Sequence, residues 1–157
     1  MVEHIVRALG LEPLPVEGGH WAQTWRDANG TAIYYLLAAP EFSALHRLSS
    51  PEIYSFHAGA PARMLLLHPD GSVTRPVLGI DLAAGQRPQV AVPAGVWQAT
   101  ETTGEWSLLG TFMAPPYTDD CVTFADASLA TRYPQSAADI RRLTPHDQGT
   151  DTRVQRQ

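Results

Sequence analysis

The stretch HRLSSPEIYSFHAG, His46 to Gly59, holds an imidazole, then the carboxylate of Glu52 six residues on, and a closing glycine. Imidazole exchanges a proton near neutral pH and is also the commonest side-chain ligand for a metal. A carboxylate beside aromatic surface is shielded from water, which raises its affinity for a proton. Read as a strand, the segment places Glu52, Tyr54 and Phe56 on one face and Ile53, Ser55 and His57 on the other. A carboxylate with two aromatic neighbours has the make-up of a pocket wall, whereas a glutamate pointing to solvent from a strand end would do no chemistry. A second stretch, VPAGVWQAT from Val92 to Thr100, sets Trp97 and Gln98 just after a Pro-x-Gly turn, at the start of a new strand. On residue types alone three readings stand: a metal site, a metal-free acid–base site, or strand and turn with a few polar residues.

Short strands must position these groups. Thirteen prolines and twelve glycines cut the chain into small pieces and argue for a sheet protein. Val2, Ile5, Val6 and Leu9 have helical spacing and end at Gly10. The stretch LEPLPVEGGHW that follows is expected to be irregular. Strands are expected at Trp21 to Arg26 and Thr31 to Leu37, joined through Asn29-Gly30, a strong hairpin-turn signal. Further strands are expected at Glu52 to His57, Arg63 to His68, after Gly71 through Leu78, Gln89 to Val92, Val96 to Thr100 and Glu105 to Met113. Eight or more short strands at even spacing predict a sandwich or small barrel. Helical pattern returns at Ala127 to Tyr133 and Ala137 to Leu143. From Pro145 the chain is polar without periodicity, so residues 1–144 are expected to form one domain and 145–157 a disordered tail.

The totals exclude several function classes. The 157 residues suffice for one domain with a substantial core, and 44% of them are apolar. Net charge is −5 with no lysine or arginine block, so the footprint of a nucleic-acid binder is missing. No apolar run is long enough to span a bilayer. Cys121 is the single cysteine, which rules out an internal disulfide and a cysteine-based zinc cluster. It has no histidine nearby to activate it as a nucleophile. A soluble cytoplasmic protein is expected.

The two opening stretches together resemble the two motifs of the cupin superfamily. In the first motif, His46 stands at the first histidine, Leu48 at the second, Glu52 at the glutamate and Gly59 at the glycine, with the six-residue gap intact. In the second, Pro93-Ala94-Gly95 is followed after two residues by Gln98 in the place of a histidine. The blocks PVEGGHWAQTW, TAIYYLL, SALHRLSSPEIYSFHAGAP, LGIDLAAGQRPQVAVPAGVWQA and the pair Tyr133-Pro134 are similar to a small cupin subfamily known mainly as a domain of unknown function. The match covers about Leu9 to Leu143. It implies an all-β double-stranded β-helix, or jelly roll, with a short N-terminal helix and C-terminal helical turns, usually a homodimer. The subfamily commonly has Trp and His where this chain has Tyr54 and Ser55, and an acidic residue where it has Ala60.

The resemblance implies that His46, Glu52 and Gln98 converge in one cavity. A divalent transition metal (Fe, Mn, Ni or Zn) could sit on those three, although Leu48 offers no donor atom and the amide of Gln98 is a weak ligand. Without metal, His46 and Glu52 could move a proton beside a substrate carbonyl while Gln98 donates a hydrogen bond, as isomerases, epimerases and lyases require. A non-catalytic cupin that binds or senses a small ligand is the alternative, and the fold hosts both. Tyr54, Phe56, Trp97, Glu17, Gln89 and Arg63 are the further candidates for substrate contact. Glu17 could equally cap its own turn, and Arg63 could meet an anionic substrate. His57, alternating away from Glu52, is expected in packing or a dimer interface. His4, His20, His68 and His146 are expected on the surface. The partner is a small polar metabolite, with no nucleic acid and no membrane.

Overall fold

A computed structural model describes residues 1–145. The tail expected beyond Pro145, with His146, lies outside the described residues. Twelve strands are present among the described residues. In chain order they are β1 (Glu12–Pro13), β2 (His20–Arg26), β3 (Thr31–Ala38), β4 (Ser43–Leu48), β5 (Glu52–Gly59) and β6 (Ala62–Leu67). Then follow β7 (Val73–Thr74), β8 (Val77–Leu78), β9 (Gln89–Val92), β10 (Trp97–Thr102), β11 (Trp106–Met113) and β12 (Val122–Phe124). Helices α1 (Val2–Leu9), α2 (Leu129–Arg132) and α3 (Ala137–Leu143) stand at the two ends.

The strands form two antiparallel sheets, ordered β1-β2-β3-β11-β5-β9 and β12-β4-β10-β6-β7, with β8 also pairing β6. This is the expected jelly roll. Between the sheets lies a core that includes Tyr35, Leu37, Tyr54, Met64, Leu66 and Leu109. The outer face of the second sheet is covered by α2 and α3 through Leu45, Leu65, Leu67, Tyr133, Ile140 and Leu143. On the outer face of the first sheet α1 packs through Val2, Ile5, Val6 and Leu9, the four residues whose spacing predicts it. Gly10 ends α1 in the left-handed conformation, at φ 64°.

The structure departs from the sequence reading in four places. The strand expected after Gly71 through Leu78 is two short ones, β7 and β8, on either side of Arg75-Pro76. The segment after α1 is not wholly irregular: Glu12–Pro13 pairs with His20 and Trp21 at a sheet edge, the position where a proline without N–H is tolerated. Strand β12 is missing from the sequence reading because three residues are too few to show a period. Strand β4 is missing for a different reason. Five of its six residues are buried, so polar and apolar residues do not alternate, and its pairing with β10 contains a bulge. Gln98 faces His46, but Thr100 faces Ser43, so three residues of β4 span two of β10. A bulge resets which side chains face inward. Among the histidines expected on the surface, His20 Nδ1 lies 3.5 Å from Glu41 Oε2 and His68 Nε2 lies 2.8 Å from Thr74 Oγ1.

Candidate functional site

A cavity of about 350 Å³ opens between the sheets. Its walls are Leu14, Pro15 and Glu17 from the loop before β2, Trp21 from β2, Ile33 and Tyr35 from β3, His46 and Leu48 from β4, Glu52 from β5, and Tyr117, Asp119, Val122 and Phe124 from the segment after β11. The size suits a small metabolite.

His46 is 1% exposed, and its two ring nitrogens have different neighbours. Nδ1 lies 2.7 Å from the carbonyl oxygen of Ala44. A carbonyl only accepts, so Nδ1 carries a hydrogen and donates it there. Nε2 then faces Glu17 Oε1 at 3.3 Å. The backbone closes the ring, because Ala44 N–H donates to the carbonyl oxygen of Glu17 at 2.7 Å. One residue of β4, through its N–H and its carbonyl, therefore orients both the imidazole and the turn that bears its carboxylate.

That turn is strained. Glu17 N–H donates to the carbonyl oxygen of Pro15 at 2.9 Å, and the residue between them, Val16, has φ 69°. A β-branched residue in the left-handed region is a conformational outlier. Strain of this kind persists where the surroundings over-determine the backbone. Here Leu14 N–H bonds the Gly19 carbonyl at 2.9 Å and the Tyr35 hydroxyl donates to the Gly18 carbonyl at 2.6 Å. Gly19, at φ 77°, allows the close approach: a Cβ there would meet Tyr35 Cε1 at 2.7 Å.

Glu52 is 8% exposed and its Oε1 has no hydrogen-bond partner. Burial pushes its pKa up from the usual carboxylate value; His46 opposes the rise, Glu17 adds to it, and the Thr111 and Tyr54 hydroxyls oppose it. Burial and then the charge of Glu17 likewise raise the Tyr35 hydroxyl, while burial and then Glu52 raise that of Tyr54.

The other sequence candidates fall at varying distances from this cavity. Glu17 lines it. Gln98 is buried opposite His46 across the β4–β10 ladder, but it lies behind the wall, where its Oε1 accepts the Tyr54 hydroxyl at 2.8 Å. Tyr54 and Phe56 pack in the inter-sheet core. Trp97 alternates to the other side of β10, against the α3 layer, with the Arg47 guanidinium over its ring. Arg63 is on that side too, bound to Glu101 at 2.7 Å. Gln89 is exposed on edge strand β9. Tyr54, Phe56, Trp97, Gln89 and Arg63, expected at the substrate, are absent from the cavity wall: Trp97 and Arg63 fall on the opposite face of their sheet, Gln89 lies at an edge, and Tyr54 and Phe56, on the Glu52 face, are taken up by the core. His57 is on the outer face of the first sheet, edge-on to Tyr34.

Trp21, Tyr35, Tyr117, Asp119 and Phe124 line the cavity without having been singled out from the sequence. For Tyr35 the sequence carries a signal: Thr31, Ile33, Tyr35 and Leu37 share one face of the strand predicted there. Asp119 and Phe124 belong to the segment after Met113, where no pattern declares which side chains turn inward.

Two sheets enclosing a polar-walled cavity, with the His46 and Glu52 stretches on opposing sheets, define a cupin. The sequence matches the family described as Cupin superfamily (DUF985) over residues 3–125, and the chain belongs to that family. No curated protein matches it significantly. Among solved structures, a Shewanella oneidensis protein is 33% identical, with a TM-score of 0.86 over 92% of this chain and 98% of its own. A hypothetical protein from Leishmania major is 24% identical, with a TM-score of 0.85 over 93% of this chain and 99% of its own. Oxalate decarboxylase from Bacillus subtilis shares the fold at 12% identity and a TM-score of 0.60, and the chain spans only 37% of that protein.

The wider superfamily raises the question of a metal. Leu48 lines the cavity at one ligand position and has no donor atom, and at another the Gln98 oxygen is already engaged by Tyr54. Among the described residues no group of three His, Cys, Asp or Glu side chains is arranged to hold a metal ion. The set His46, Glu52 and Gln98 does not fit a transition metal in this geometry. Among the described residues no helix is long and apolar enough to cross a membrane.

Proposed function

We propose that the cavity is a metal-free acid–base site of the isomerase, epimerase or lyase kind, acting on a small polar metabolite. The observation that carries the reading is the fixed tautomer of His46. With Nδ1–H committed to Ala44, only Nε2 can take up or release a proton, and Glu17 stands 3.3 Å from it to stabilise the imidazolium that results. Glu52, on the opposing sheet and raised in pKa by burial, supplies the second proton-transfer group. Two such groups across one cavity suit removal of a proton beside a carbonyl or imine and its return to the same or the opposite face. Gln98 acts as a positioning residue, holding Tyr54 in the core behind the wall.

The likeness to oxalate decarboxylase is one of fold, and the acidic wall here disfavours a dianion. A homodimer belongs to the same proposal, supported by the half-exposed stacked pair Trp25 and Phe112 on the outer face of the first sheet, and light scattering measures it. A cytoplasmic setting fits the single cysteine.

The test is exchange of substrate C–H for deuterium in heavy water, followed by proton NMR over a panel of keto compounds, sugars, amino sugars and sugar nucleotides. Exchange with the native protein is expected to fall by about a hundredfold or more in His46→Gln and in Glu52→Gln, the range for loss of a general acid or base. Binding without exchange for every compound would make the cavity a sensing site and end the enzymatic reading.

A further inference from the structure

The charge and hydrogen-bond inventory of the cavity restricts what can occupy it. Glu17, Glu52 and Asp119 line it, His46 is the one basic residue on its wall, and no lysine or arginine among the described residues reaches it. Three donors nearby are already committed. The Tyr35 hydroxyl donates to the Gly18 carbonyl, the Tyr54 hydroxyl to Gln98 and His46 Nδ1–H to Ala44. Acceptors remain, since ionised carboxylates only accept. Glu52 lines the cavity while more than nine-tenths buried, with its unpartnered Oε1 shut off from solvent. A carboxylate so poorly solvated, with His46 the one basic group on the wall to offset it, calls for an explanation, of which a ligand is one. The remaining wall is partly aromatic, with Trp21 and Phe124 among its residues, and the faces of such rings attract cations.

We propose that the ligand of this cavity is a small organic cation, a protonated amine on a compact body, whose ammonium group is received by Glu52. An ammonium has three donors and no acceptor, the complement of this wall. Its charge offsets the surplus of carboxylates, and its body rests on Trp21 and Phe124. A carboxylate or phosphate ester would instead meet like charge in a buried site without an arginine to receive it. The inference rests on the reading of the cavity as a ligand site and adds the class of ligand, which the proton-transfer proposal leaves open.

Two matched trios test it by isothermal titration calorimetry at about pH 7: cyclohexylmethylamine, cyclohexylmethanol and cyclohexanecarboxylate, then glucosamine, glucose and glucuronate. In at least one trio the amine is expected to bind at least tenfold more tightly than the alcohol, about 1.4 kcal/mol, with the carboxylate weakest. In Glu52→Gln, with the fold verified by circular dichroism, that preference should collapse. Glu17→Gln serves as the second variant, and if neither variant folds, the ranking on the native protein decides. An alcohol or carboxylate that binds as tightly as its amine in both trios overturns the proposal, as does absence of amine binding at millimolar concentration. Persistence of the full preference in folded Glu52→Gln overturns it too. Amine-selective binding with no deuterium exchange on any compound would keep this inference and remove the acid–base reading. Exchange on a carboxylate-bearing compound that outbinds its amine would do the reverse.

Discussion

Replacing Glu52 by glutamine should make the protein more stable at neutral pH and leave it nearly unchanged in acid. The side chain is 8% exposed, its Oε1 has no donor, and burial raises its pKa above that of an unfolded glutamate. The folded state therefore holds the Glu52 proton more tightly than the unfolded state does. Between the two pKa values the native protein binds more protons, so stability falls as pH rises through that window. The contribution is fully present below the unfolded value and lost once pH has passed the raised one. Each pH unit inside the window removes about 1.4 kcal/mol for this single proton. Glutamine has nearly the same shape and does not titrate, so the variant escapes that loss. The assay is urea unfolding of native protein and Glu52→Gln at intervals from about pH 4 to about pH 8, with no ligand added. The difference between the two should be small at the acid end, grow with pH in favour of the variant, and then level off. A difference that does not change with pH, or one that turns against the variant as pH rises, would refute the assignment of Glu52 as a buried, undersolvated carboxyl.

Two further outcomes follow from local geometry. Val16 sits at φ 69° and is 58% exposed, so Val16→Asn gives up little burial and relieves left-handed strain. Set against the cost of about 1–2 kcal/mol for such a conformation, a gain of about 1 kcal/mol should raise the melting midpoint by about 2–4 °C in a chain of this size, and an unchanged midpoint would count against the strain. Tyr54→Phe removes the 2.8 Å bond to Gln98 Oε1 and strands a buried amide oxygen, at a cost of about 1–3 kcal/mol in denaturant unfolding. The double variant Tyr54→Phe with Gln98→Leu should recover part of that loss, and strict additivity of the two changes would deny the coupling.

Much of the fold is legible in the sequence because most strands present one face to the core and are bounded by glycine or proline. The strand of Thr31 to Leu37 and the helix of Ala137 to Leu143 are examples, found within a residue of where they are expected. What escapes is the region where both faces are covered. Strand β4 is buried between the cavity and the α3 layer and carries a bulge, so the SALHRL segment has no readable period although it bears His46. The motif frame singles out His46 and Glu52 regardless, and both line one cavity, because it records spacing and not burial. It does not reveal that the Gln98 amide turns to Tyr54, because spacing does not say which hydrogen bond a side chain prefers. The partnership of Glu17 with His46 is hidden for the same reason: it depends on a backbone bond between residues far apart in sequence.

The ring that joins Glu17, Ala44 and His46 divides the cavity into parts of unequal freedom. The wall made by the turn and β4 is anchored through main-chain bonds, and its proton-handling atoms keep their spacing whatever enters. The adjoining wall comes from the connection after β11, which brings Asp119 through a single helical turn and Phe124 on a three-residue strand paired with β4. Connections of this kind tolerate change in length and composition. Grafting a different connection between Met113 and Val122, with β12 kept on β4, would therefore reprogramme which molecule is admitted while leaving the reactive pair in register, making that segment the natural handle for redirecting this scaffold to new compounds.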